Sequence, residues 1–142
     1  MRTIFYVISV MVLTSFFLVS CNDRGDENLI LNAEATRIDS VAVLHDTMLV
    51  FSTQSIKTFS KYRANCEGFY GYDYRYTSEF GRQIISYRFL TETPCGEETV
   101  RVSQINFRPQ AAGNYHFRFW NGSNSNNENV WLEKTVVVLP QR

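Results

Sequence analysis

Beyond residue 36, apolar side chains recur at every second position, and turn-forming residues break the pattern at short, regular intervals. A period of two puts successive side chains on opposite faces of an extended backbone, so each segment can bury one face and solvate the other. No segment carries the 3.6-residue period of an amphipathic helix over a useful length. Short alternating segments divided by turns predict an all-β chain whose sheets cover one another. The expected strands are 37–44, 48–54, 69–77, 82–91, 99–107, 114–120 and 130–139, about seven, and 55–65 reads either as a short strand or as part of a long connection. Within 99–107, Val100 and Val102 share one parity and Ile105 and Phe107 the other, which predicts a bulge near Ser103-Gln104.

The start of the chain has a different character. Met1-Arg2-Thr3 is positive, and residues 4–19 carry no charge. That stretch is shorter than the ~20 residues a helix needs to span a hydrocarbon core, and it has the layout of a secretory signal. It ends in Leu18-Val19-Ser20-Cys21, which resembles the lipobox of bacterial lipoproteins. The resemblance implies cleavage after Ser20, a diacylglycerol on the Cys21 thiol and acylation of the new amino group. Two or more acyl chains hold a protein stably on a membrane, whereas one does so only marginally. Residues 22–28 are polar and turn-rich, and they resemble the acidic stretch after the lipidated Cys in surface-exposed lipoproteins of Bacteroidota. The expected organisation is a signal peptide over 1–20, a lipid-anchored tether over 21–36 and one folded domain over 37–142. The expected location is the cell envelope, on the outer membrane, facing either the periplasm or the surface.

The chain has three Cys, so assigning Cys21 to lipid leaves Cys66 and Cys95. An even pair in an exported domain is most simply a disulfide, here stapling loops at one end, with two free thiols as the alternative. Lys and Arg number 14, as do Asp and Glu, and this balance argues against a nucleic-acid partner, which calls for a concentrated basic face.

The run Phe107-Arg108-Pro109-Gln110-Ala111-Ala112-Gly113-Asn114-Tyr115-His116-Phe117 resembles the E–F corner of immunoglobulin-like domains. The resemblance implies an immunoglobulin-like antiparallel β-sandwich in which the Tyr115 hydroxyl bonds back to the corner. Phe117 stands where antibody domains place the second core Cys, so their inter-sheet disulfide is not expected. For the last hairpin, pairing Trp120 with Trp131 sets Arg118 opposite Glu133, His116 opposite Thr135, Phe119 opposite Leu132 and Tyr115 opposite Val136. Opposite charges and aromatic pairs favour this register, Phe117 opposite Lys134 opposes it, and a two-residue slip is the alternative.

The sequence contains no G-x-S-x-G, P-loop, H-E-x-x-H or dinucleotide fingerprint. His45-Asp46 sits in an expected turn with no nucleophile to assign to it, and nothing selects a carboxylate pair from Glu67, Glu79, Glu97 and Glu98. The Asn-rich run 121–129 lacks the ligand spacing of a helix–loop–helix calcium site and reads as a hairpin loop. No catalytic residue, metal or cofactor is therefore expected. Tyr70, Tyr72, Tyr74 and Tyr76 alternate along one strand and should share a face, either as core or as an exposed stacking platform. Trp120 and Trp131 should point away from the core, flanked by Arg118, either as an anchor for a sugar ring or a protein or covered by the tether or loops. Asp39-Ser40-Val41 and Asp46-Thr47-Met48 resemble the O-glycosylation sequon of exported Bacteroidota proteins, at Ser40 and Thr47. The expected function is a non-catalytic, membrane-tethered binding or structural module. The alternative is a carbohydrate-binding accessory lipoprotein serving an outer-membrane glycan importer.

Overall fold

The alternating pattern becomes nine strands over residues 30–141, the part of the chain that the computed structural model describes. They are β1 (Ile30–Thr36), β2 (Ser40–Val43), β3 (Thr47–Leu49), β4 (Gln54–Arg63), β5 (Glu67–Tyr76), β6 (Gly81–Thr91), β7 (Glu98–Phe107), β8 (Gly113–Ser123) and β9 (Asn129–Leu139). Cys21, the signal segment and residues 22–29 lie outside the described residues. The strands form a six-stranded sheet, β1-β6-β8-β9-β3 with β5 on the other edge of β6, and a three-stranded sheet, β2-β4-β7. The result is an all-β sandwich with two sheets.

Several expectations are corrected. Residues 30–36, read as the end of the tether, pair as β1 with the second half of β6. Residues 55–65 fall largely within β4, whose side chains alternate strictly between buried and less buried. The bulge near Ser103-Gln104 is absent: β4 and β7 pair without a shift from Gln54↔Phe107 to Arg63↔Glu98. Val100 and Val102 instead face outward and are exposed, because β7 is the edge of the small sheet. The large sheet is also mixed instead of antiparallel throughout. After β6 the chain crosses to the small sheet as β7 and returns as β8, which therefore runs parallel to β6. β2 and β3 are one run that changes sheets, so β3 joins β9 in parallel as well.

The core lies between the sheets and is built from Ile38, Ile56, Ile84, Phe107, Tyr115, Phe117, Phe119, Val136 and Val138. The rings of Phe107 and Phe117 meet edge to face at 5.0 Å, and Phe107 meets Tyr115 at 5.0 Å. The Tyr115 hydroxyl donates to the Ala111 carbonyl at 3.1 Å, the bond expected of the corner. Phe80 closes the same end: its ring occupies the space that a Cβ on Gly113 would need, 2.6 Å away.

Cys66 and Cys95 form a disulfide, Cα to Cα 4.8 Å, joining the β4–β5 turn to the β6–β7 loop. Backbone bonds from Ala64 N to Glu97 O and from Gly96 N to Ala64 O run beside it. Next to Cys66, Glu67 is 3% exposed. Its carboxylate accepts from the Arg63 backbone N–H and side chain, each at 2.8 Å, and pairs with Arg88 at 3.3 Å. Arg88 also pairs with Glu34 of β1, tying that strand to the same ion cluster. Burial pushes the Glu67 carboxyl up, but the Arg63 hydrogen bonds and the two guanidinium charges outweigh it and hold it below its usual value.

Two outcomes follow for this end of the sandwich. Reducing the disulfide, which spans a sequence separation of 29, should lower stability by about 3 kcal/mol, read as a fall in the urea midpoint with dithiothreitol. Because the folded Glu67 pKa is depressed, its contribution is complete above the unfolded value near 4.5 and is lost as pH falls through the lower folded value. Urea titrations from pH 7 to 3 should therefore show stability declining, and Glu67→Gln should flatten that decline while costing ~2 kcal/mol at pH 7.

Candidate functional site

The hairpin of β8 and β9 has the register set by its side chains: Trp120↔Trp131, Arg118↔Glu133, His116↔Thr135, Phe119↔Leu132 and Tyr115↔Val136. Burial of Tyr115, Phe117 and Phe119 turns Arg118 and Trp120 to the outer face of the large sheet. Phe117 still lies opposite Lys134, yet Lys134 remains exposed because β3 covers β9 only from Val137 onward. An inward-leaning charge on an open edge also discourages a further strand from pairing there.

Arg118 binds two ways on this face. Its guanidinium lies 4.9 Å from the centre of the Trp131 ring, and its Nε is 3.4 Å from the Glu133 carboxylate. The Trp120 indole N–H donates to the Asn129 side chain at 3.0 Å. Beyond Trp120 the register shifts, and the Asn121 amide turns away to donate to the Ile38 carbonyl at 2.7 Å. The Asn-rich loop that follows is organised by Asn124, whose side-chain oxygen accepts from the backbone N–H groups of Asn126 and Glu128 at 2.9 Å each. Its Asn residues thus serve turn geometry.

The tyrosine row does not share one face. β5 carries a bulge between Phe69 and Gly71 against β6, and Tyr70 is the extra residue. The bulge reverses parity along the strand. Phe69 therefore joins Tyr72, with ring centres 4.7 Å apart, while Tyr70 is left 59% exposed. Tyr72 points between the sheets, and its hydroxyl bonds the Thr58 hydroxyl across the sandwich at 2.6 Å. Burial raises the Tyr72 pKa, against the effect of hydrogen bonds from Thr58 and Ser103. Tyr74 is half-buried on the same inner side, also raised by burial and opposed by the nearby Arg82 charge. Tyr76 ends the row at the rim, 74% exposed, with the Arg82 guanidinium 4.3 Å from its ring centre.

Sequence reasoning missed two contributors to the outer face. Gly68 and Gly71 of β5 pair with Phe89 and Tyr87 of β6, whose parity continues through Ile85 toward Arg118 on β8. A Cβ on Gly68 would meet the Phe89 ring at 2.5 Å, so the ring lies flat over the glycine. Tyr87 shares a shallow hollow with Tyr70. The outer face of the large sheet thus presents Tyr87, Phe89, Ile85, Trp120 and Trp131, all half-buried. Every described strand belongs to one of the two sheets, so no further strand of the described residues lies over this face. The legible signal was a strand, 82–91, that is apolar at both parities: Ile84, Ile85, Tyr87, Phe89 and Leu90.

Comparison with protein-family models, curated proteins and solved structures finds no match to this chain.

Proposed function

We propose that this protein is a non-catalytic lipoprotein of the bacterial envelope that presents an immunoglobulin-like sandwich as a protein-binding module, anchored through lipid on Cys21. The observation that carries the binding role is the aromatic face of Trp120, Trp131, Tyr87 and Phe89, over which no further strand of the described residues lies. An antiparallel sheet ordinarily solvates its second face with polar side chains. A contiguous apolar and aromatic surface on that face marks an interaction site. The immunoglobulin-like assignment rests on the corner bond of Tyr115 and on the run of β2 into β3, which ends parallel to the last strand. The parallel pairing of β6 with β8 is a departure from that pattern.

A protein partner suits the face better than a sugar. The guanidinium of Arg118 already lies over the Trp131 ring, and Asn129 holds the Trp120 N–H. Both indoles are therefore fixed in orientation, which favours a rigid anchor at a protein interface over a free stacking platform. The sugar-binding accessory role is the second reading, supported by the same two indoles.

The experiment is site-specific photocrosslinking from position 133 of the full-length protein in intact cells. A discrete protein adduct is expected, reduced at least tenfold by Trp120→Ala or Trp131→Ala in variants that keep the wild-type melting temperature. A glycan array that titrates and loses signal in those variants, with no adduct, would establish the sugar reading instead. Labelled palmitate should enter the wild type and be absent from Cys21→Ala; incorporation that survives the substitution sinks the anchor.

A further inference from the structure

At the end of the sandwich opposite the disulfide, the two sheets part between their edge strands, β5 and β7. The opening is a cleft of about 600 Å³, within the usual range of roughly 300–1,000 Å³ for small-molecule sites. Tyr74, Tyr76 and Arg82 wall it from the large sheet, Asn106 from the end of β7, and Arg108 and Gln110 from the loop that follows.

Arg82 is the unusual member. It lies on the inner parity of β6, opposite Tyr76, and is 7% exposed. Its Nη1 donates to the carbonyls of Ser78, Glu79 and Gly81 at 3.2, 3.0 and 2.8 Å, which fixes the head group against the β5–β6 turn. Its plane is further held by the rings of Tyr76 and Tyr115, 4.3 and 5.1 Å from the guanidinium carbon. Among the described residues no carboxylate comes within ion-pair distance of it, although the other buried charge of the fold, Glu67, has two guanidinium partners. A buried charge is costly unless an opposite charge meets it. Here the guanidinium is desolvated and oriented in advance, and the cleft gives it an open side. Glu79 at the mouth supplies one negative charge against the two positive charges of Arg82 and Arg108, so the site remains net positive.

We propose that this cleft binds the carboxylate of an acidic sugar, a uronate residue of an oligosaccharide. A planar carboxylate matches the donor geometry of a guanidinium, which a rigidly held Arg recognises better than a mobile Lys. The remaining polar lining includes the Tyr74 phenol, which both donates and accepts as the hydroxyls of a sugar ring require, and Gln110, whose amide N–H donates to the Arg108 carbonyl at 3.4 Å and whose amide oxygen can accept. Asn106 borders the cleft from the outer parity of β7, where its amide oxygen accepts from the Ser55 hydroxyl at 3.0 Å. One face of the Tyr76 ring carries the Arg82 guanidinium, and its exposed edge borders the cleft. The site is separate from the outer face that carries the Trp pair, so either can fail without the other.

The test is titration of the full-length protein in detergent with trigalacturonate and with galactotriose, followed by calorimetry and by NMR of the arginine Nε–H signals. Trigalacturonate should bind at least tenfold more tightly than galactotriose, shift the Arg82 Nε–H signal, and weaken as salt is raised. Arg108→Ala, at the exposed mouth, should reduce the affinity a few-fold with the melting temperature unchanged. Arg82→Lys should lose most of the binding, and a circular-dichroism melt separates that from unfolding. Equal binding of the two trisaccharides, shifts confined to the Trp131 indole, or binding only of peptides through their C-terminal carboxylate would each overturn the proposal.

Discussion

Burial of one stripe on β8, Tyr115, Phe117 and Phe119, governs the rest of the molecule. These rings pack with Phe107 from the small sheet, so they fix how the two sheets meet. They also fix register. A slip of one residue against β9 would send the stripe into solvent and bring Arg118 and Trp120 into the core, a penalty far larger than any local pairing preference. The hairpin accordingly tolerates Phe117 opposite Lys134, a poor pair, because Lys134 lies where β9 has an open edge. The outward Trp pair is thus a consequence of the inward aromatic stripe.

The same parity logic explains what could be read in advance and what could not. In β8 and β9 the alternation is uninterrupted from Asn114 to Trp120, so parity and the Arg118–Glu133 charge pair point to the observed register, and only a two-residue slip, which keeps parity, stays open on sequence alone. In β5 the tyrosines alternate just as regularly, yet the strand bulges at Tyr70. A bulge is decided by the partner strand: Phe89 needs a glycine beneath it, and the position that provides one is Gly68, while Tyr72 must reach Thr58 across the sandwich. With Gly68 facing outward and Tyr72 inward at an even separation of four, one residue has to be inserted between them. Nothing local to the tyrosine row carries that information. In β7 the reverse holds: a change of apolar parity suggested a bulge, but it marks only valines left on the outside of an edge strand.

Connectivity was the least legible level. Short strands and turn residues indicate a sandwich, but they do not say which strand enters which sheet. The sheet change between β2 and β3 takes three residues, and the parallel contact of β6 with β8 depends on β7 lying in the opposite sheet. β1 was hidden for another reason. Its sequence, Ile-Leu-Asn-Ala-Glu-Ala-Thr, has little alternation, and what places it is pairing to β6 together with the Glu34–Arg88 ion pair. Arg82 was hidden because an arginine in an amphipathic strand is ordinarily a solvated residue, and what holds its head group at an inner position is the carbonyls of Ser78, Glu79 and Gly81, which lie in or next to the turn.

The two ends of the sandwich are chemically unlike, and the difference has a direction. Ile30, where the described chain begins, pairs with Thr91 at the end that holds the disulfide and the Glu67 cluster. That end is stapled by a covalent bond, loop-to-loop backbone bonds and the ion pairs of Glu67 with Arg63 and Arg88, so its buried carboxylate has its partners within the protein. At the other end, β5 and β7 part, Tyr76 stands in solvent and no carboxylate of the described residues lies within ion-pair distance of Arg82. A domain attached to a surface through its first residues faces that surface with its entry end. The proposed anchor on Cys21 would therefore lie on the side of the reinforced end, and the open end would face away from it. The outer aromatic face runs along the side between the two ends, separate from both.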